Sequence, residues 1–182
     1  APPSSIYTSQ ISNVGKTKGH GFELSLGAVP VQTKKFKWDM SVSVTFARDY
    51  VDELTNGVTQ YVDGINILRV NNPVSAYYSY KVQNCWGVGE FDKYVADNYT
   101  SKGVEFTKPY SDYGTPGTPK IIDQNHDGII DDKDKVIYNR SPKAILGFTT
   151  SFRYRDFSLS VQTMARIGGY MYYEAYGLYT YD

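Results

Sequence analysis

Phe36-Lys-Trp-Asp-Met-Ser-Val-Ser-Val-Thr-Phe-Ala47 alternates apolar and polar side chains without a break. A period of two places Phe36, Trp38, Met40, Val42, Val44 and Phe46 on one face of an extended chain. The other face carries Lys37, Asp39, Ser41, Ser43, Thr45 and Ala47. At ~3.4 Å per residue the run spans roughly 40 Å, longer than the usual strand of a globular sheet.

Similar runs lie on either side of it. Phe22, Leu24, Leu26 and Ala28 oppose Glu23, Ser25 and Gly27, which predicts a strand over about 21–30 that ends at Pro30. Ala144, Leu146, Phe148, Thr150, Phe152 and Tyr154 predict another over 143–154, and Phe157, Leu159, Val161 and Thr163 a fourth over 157–166. With 36–47 these make four long two-faced strands. The first pair is joined by Val31 to Lys35 and the last by Arg155-Asp156, whereas about 48–142 separates the second strand from the third. That insertion is rich in Gly and Pro, with room for a strand in Val74 to Trp86 and a short helix in Asp92 to Ser101. Residues 1–20 read as an irregular lead-in. An excursion this long inside a domain is expected to be functional.

Its most informative segment is Asp123-Gln-Asn-His-Asp-Gly-Ile-Ile-Asp-Asp-Lys-Asp134. Asp123, Asn125, Asp127, Asp131 and Asp134 occupy positions 1, 3, 5, 9 and 12 of a calcium loop, and Gly128 the sharply turned sixth. A hard divalent cation needs six or more oxygens from one short segment, and the carbonyl of Ile129 would supply the seventh-position ligand. Calcium is the expected cofactor. Asp134 stands where an EF-hand has Glu, and the flanking Pro116, Pro119 and Pro142 argue against the two long helices of a sensor hand. The competing reading is an acidic surface turn without an ion.

Composition narrows the classes. Lys plus Arg equals Asp plus Glu, so no nucleic-acid partner is expected. An aromatic content of 15% favours pleated structure. Cys85 is the one cysteine, which excludes an internal disulfide or a thiolate cage. The chain opens Ala-Pro-Pro without a leader pattern, and no apolar run reaches the ~18 residues of a membrane helix. A membrane strand needs only ~10 alternating residues.

Strands joined alternately by short and long connections fit an outer-membrane barrel, with short periplasmic turns and long extracellular loops. The predicted fold is therefore all-β: antiparallel strands of a transmembrane barrel whose extracellular insertion carries the calcium loop. Phe36, Trp38, Tyr154 and Phe157 flank the short turns, where an interfacial girdle belongs. A soluble antiparallel sandwich would show the same two faces. Four strands neither close a barrel nor bury a sandwich core well.

The run Lys120 to Arg140, then Ser-Pro-Lys and Gly-Phe-Thr-Thr-Ser-Phe-Arg-Tyr-Arg-Asp-Phe-Ser-Leu-Ser, resembles the C-terminal barrel region of the SusC/RagA family of TonB-dependent outer-membrane transporters. Gly-His-Gly-Phe-Glu-Leu-Ser-Leu, Phe36 to Phe46 and Pro73 to Trp86 resemble that family in the same order. The resemblance implies a 22-stranded plugged barrel that works with a SusD-like lipoprotein and TonB to import glycans or peptides, in the outer membrane of a Gram-negative, Bacteroidetes-like cell. Residues 1–182 then read as part of such a barrel, lacking plug, TonB box and most strands. The alternative is a soluble calcium-binding β module for carbohydrate binding or adhesion. An enzyme is not expected, because His20 and His126 lie in Gly-rich or calcium-loop contexts and no nucleophile or phosphate-loop motif occurs.

Overall fold

A computed structural model describes residue 13 and residues 15–173. The strands are β1 (Gly15–Gln32), β2 (Phe36–Leu54), β3 (Gln60–Asp63), β4 (Asn66–Arg69), β5 (Ala76–Tyr80), β6 (Val82–Cys85), β7 (Pro119–Ile121), β8 (Lys135–Asn139), β9 (Ala144–Tyr154) and β10 (Phe157–Ile167). Among the described residues one α-helix, α1 (Glu90–Asn98), lies between β6 and β7. Predominantly antiparallel β-structure results. No helix among the described residues is long and apolar enough to cross a membrane, which leaves strands unaddressed.

The chain divides into two units, the first comprising 1–76 and 139–182 and the second 77–138. In the first, the sheet order is β1-β2-β9-β10, and each neighbouring pair is antiparallel. Register carries the period of two across all four strands. Leu26 faces Val42, Val42 faces Phe148, and Phe148 faces Thr163, so one side of the sheet collects the apolar set and the other collects Ser41, Thr149 and Gln162. Strand β9 begins at Ala144 and β10 ends at Ile167, each one residue from expectation.

The first pair is longer than the alternation suggests. Strand β2 runs on through Leu54, and β1 starts at Gly15, inside the segment read as irregular; 1–12 and 14 lie outside the described residues. Lys16–Glu53 and Lys18–Asp52 bridge this extension at 2.8 and 2.9 Å, and His20 stacks on Tyr50. Cross-strand charge pairs stabilise a polar hairpin that apolar alternation cannot report. Nor does Pro30 end β1. Register shifts between Ala28 and Val31, so the proline sits at a bulge on an edge strand, where no ladder donor is needed. The long excursion consequently starts after Leu54.

The short turns are held by their own groups. In 33–35 the Thr33 hydroxyl accepts from Phe36 N–H at 3.0 Å, and in the second turn Arg155, at φ 52°, donates its N–H to the Lys35 carbonyl at 2.9 Å.

The second unit has a core of rings. Trp86, Tyr99 and Tyr113 are almost wholly buried, with Phe91, Tyr94 and Phe106 against them. Edge-on contacts such as Trp86–Phe91 at 5.1 Å place positive ring edges on negative faces. Gly114 lies at φ +93°, and a Cβ there would strike the Phe91 ring. Lys120 enters this cluster with its ammonium 4.6 Å from the Trp86 ring and 4.4 Å from that of Tyr94. Its partner Glu90 lies 2.7 Å away, and Lys120 together with the Gly87 N–H holds that carboxyl below its ordinary range. The expected helix is α1, starting two residues early, and the expected Val74 to Trp86 strand is broken at Lys81 into β5 and β6.

Candidate calcium-binding loop

The segment from Asp123 to Asp134 lies between β7 and β8 and winds through a chain of side-chain to backbone hydrogen bonds. Asp123 accepts from the N–H groups of His126 at 2.6 Å and Gly128 at 2.9 Å. Asn125 accepts from Asp127 N–H, Asp127 from Ile129 N–H, and Asp131 from Lys133 N–H. Asp134 closes the loop, accepting from Gln124 N–H and Asp131 N–H, both at 2.8 Å. A short carboxylate or amide bonds the backbone two or three residues on, which explains why Asp and Asn recur at this spacing. A 3₁₀ turn over Asp132–Asp134, capped by Asp131, hands the chain to β8, so no EF-hand helix flanks the loop.

Gly128 is required twice over. It sits at φ +81°, and a side chain would collide with the Glu105 carbonyl. That close approach reveals a contact the spacing of acids does not announce: Thr107 N–H donates to the Gly128 carbonyl at 2.7 Å, and Thr107 and Ile129 form a parallel bridge. The only signal for it in the sequence is the short alternation Val104-Glu-Phe-Thr107 after a glycine.

Asp123 and Asp134 are buried to 1% and 0% exposure, while Asn125 and Ile129 are exposed and Asp127 and Asp131 half-buried. No ion pair among the described residues reaches Asp123 or Asp134; Lys133 lies 3.9 Å from Asp127 and 3.5 Å from Asp131. Donation from the Ile129 N–H keeps Asp127 below its ordinary value. Burial, above all, raises Tyr99, and the neighbouring Tyr94 and the charge of Asp123 add to the effect. Among the described residues no three His, Cys, Asp or Glu side chains converge as a cation cage. Each carboxylate oxygen bonded to one N–H keeps a further lone pair, and oxygen is the ligand type a hard cation takes. His126, at φ 59°, points its backbone into the turn and is exposed.

The tyrosines of β5 are engaged beside this loop. Tyr78 donates its hydroxyl to the Asp132 carbonyl at 2.8 Å, and Lys135 sits over the rings of Tyr78 and Tyr80.

No family model matches the chain. It is 30% identical over 178 residues to TonB-dependent receptor SusC of Bacteroides thetaiotaomicron, covering 95% of this chain and 16% of the receptor. To TonB-dependent receptor P3 of Formosa agariphila it is 24% identical, covering 92% of this chain and 17% of that one. Among solved structures, the RagAB peptide transporter superposes with a TM-score of 0.57 at 16% identity, over 87% of this chain and 15% of the other. The RagAB peptide importer in its closed-closed state gives 0.57 at 18% identity, over 91% and 17%. The chain thus spans about a sixth of the length of the relatives it matches. The resemblance carried by Lys120 to Arg140 and the strands around it is borne out.

Proposed function

Because the chain is homologous along nearly its whole length to a segment of SusC-type TonB-dependent receptors, we propose that it is a portion of the barrel wall of an outer-membrane importer. The observation that carries this reading is the apolar face of the β1-β2-β9-β10 sheet. Phe22, Leu26 and Leu159 are each about 60% exposed on it, and the opposite face is polar. Such a face suits acyl chains on one side and a wet lumen on the other. The short turns would then be periplasmic, and the second unit would belong to the extracellular excursion.

The imported solute is a glycan or a peptide, taken up with a SusD-like lipoprotein over the outer face and energy delivered through TonB. Both partners act on the complete receptor. Calcium belongs to the same reading: Asp123, Asn125, Asp127, Asp131, Asp134 and the Ile129 carbonyl would hold it. It would neutralise two buried carboxylates that no cationic side chain approaches among the described residues.

The test uses the parent receptor in outer membranes, in a Cys85→Ser background. Cysteines placed at Leu24 and Val161 should react with a lipid-soluble maleimide and resist a charged one, and cysteines at Ser25 and Gln162 should do the reverse. Uptake of labelled oligosaccharides and peptides is then followed with and without residues 60–142. Equal labelling of the two faces by the charged reagent would sink the barrel reading and favour a soluble module.

A further inference from the structure

At the short-turn end of the first sheet, a cavity of about 270 Å³ opens on the polar side, lined by Lys34, Lys35, Lys37, Arg153 and Arg155 with no carboxylate in its wall. We propose that this pocket binds a phosphate group. Five cations in one small space repel, and the sheet register makes the conflict sharper by setting Lys37 directly opposite Arg153. Like charges in cross-strand pairs destabilise a sheet. Only Lys37 is relieved, by Asp39 at 2.6 Å. Among the described residues Lys34, Lys35, Arg153 and Arg155 make no ion pair, and Arg155 rests its guanidinium 5.5 Å from the Tyr154 ring.

The frame is preorganised. Arg155 N–H bonds the Lys35 carbonyl, and Thr33 closes its own turn on Phe36 through both its hydroxyl and its N–H, so the backbone from which Lys34, Lys35 and Arg155 extend is fixed before a ligand arrives. A phosphate answers this arrangement better than a carboxylate. It carries up to two charges and three or four acceptor oxygens, enough to engage guanidinium forks and ammonium groups from several directions. The volume lies just under the range of drug-sized sites, which suits one phosphate with its waters.

Two sources carry that chemistry: a phospholipid headgroup, which would reach the pocket only around the turns at the strand ends because it opens on the side away from the apolar face, and a free phosphorylated solute. Only the first depends on the barrel reading. The full chain in non-ionic detergent micelles is titrated with inorganic phosphate by calorimetry, beside Lys34→Gln/Lys35→Gln, Arg153→Gln and Asp39→Asn, with circular dichroism checking each fold. Saturable phosphate binding is expected, weakened roughly tenfold or more in the first two variants and undiminished in Asp39→Asn. The exposed-turn double variant decides the matter if Arg153→Gln misfolds. Repeating the titration in phosphatidylglycerol nanodiscs separates the sources. Loss of apparent phosphate affinity there, in wild type alone, assigns the headgroup; unchanged affinity assigns the free solute. Absence of saturable phosphate binding in micelles, binding indifferent to Lys34, Lys35 and Arg153, or capture of a poly-glutamate peptide in preference to phosphate overturns the proposal.

Discussion

Gly128 concentrates three demands in one residue: a left-handed backbone, the approach of the Glu105 carbonyl, and donation of its N–H to the buried Asp123. Replacing it with Ala should cost about 1–3 kcal/mol or more, because backbone strain and steric overlap add; urea melts of the chain check this. The buried tyrosines set an alkaline limit. Burial raises Tyr113 from an ordinary 10.0 to about 12 and pushes Tyr99 further in the same direction. The nearby Trp86 side chain works against that rise, while the Tyr113 hydroxyl donates to the Ile121 carbonyl at 3.1 Å. A raised acid is neutral in the fold, so its contribution is complete below pH 10 and is lost as pH climbs toward the folded value. Absorbance at the tyrosinate band should therefore show Tyr99 and Tyr113 among the late tyrosines, titrating together with loss of tertiary signal. Tyr99→Phe should move the transition to higher pH.

Single residues such as Trp86, Tyr99, Tyr113 and Lys120 were not legible as a core, and the reason is physical. Each comes from a different short or irregular segment, so no period gathers them, and a lysine 8% exposed over two rings looks like any surface lysine until the fold is seen. The order of oxygens from Asp123 to Asp134 was legible because one contiguous loop carries it. The Glu105–Thr107 clamp was not, since it comes from elsewhere in the chain.

Elements were legible in proportion to their alternation. Strands β9 and β10 fall within a residue of expectation, while the charged ends of β1 and β2 carry no apolar signal. Face assignment can be tested on β10. On the barrel reading, Val161→Arg near mid-strand should destabilise folding into lipid vesicles by about 2–4 kcal/mol, and Gln162→Arg by much less. Similar penalties for the two would contradict the orientation. The loop between β7 and β8 gives a second test. If calcium binds the folded loop alone, a concentration of about 100 times its dissociation constant should add about 2.7 kcal/mol. A chelator should remove the gain, and Asp134→Asn should abolish it. Thermal melts unchanged by calcium would argue for the plain acidic turn.

At the scale of the molecule, the sheet of four strands is joined by one non-local pairing. Strand β2 meets β9 with Phe36 opposite Tyr154, whereas β1–β2 and β9–β10 are hairpins closed by a few residues. The excursion between them supplies its own compact unit, and β5 and β8, at that unit's entrance and exit, are neighbours, with the Tyr138 hydroxyl bonded to the Tyr80 carbonyl at 3.3 Å. Weakening the ring cluster by Lys120→Ala should thus slow pairing of β2 with β9 as well as destabilise 77–138, measurable by hydrogen exchange of the Val42 and Phe148 amides during refolding.

That neighbouring of β5 and β8 has a kinetic meaning. Once 77–138 has condensed, its two ends emerge together, and the tether the hairpins must close contracts from some ninety residues to a third of that. Chain statistics put the saving near 1 kcal/mol, enough for 77–138, folding early, to hasten pairing of β2 with β9.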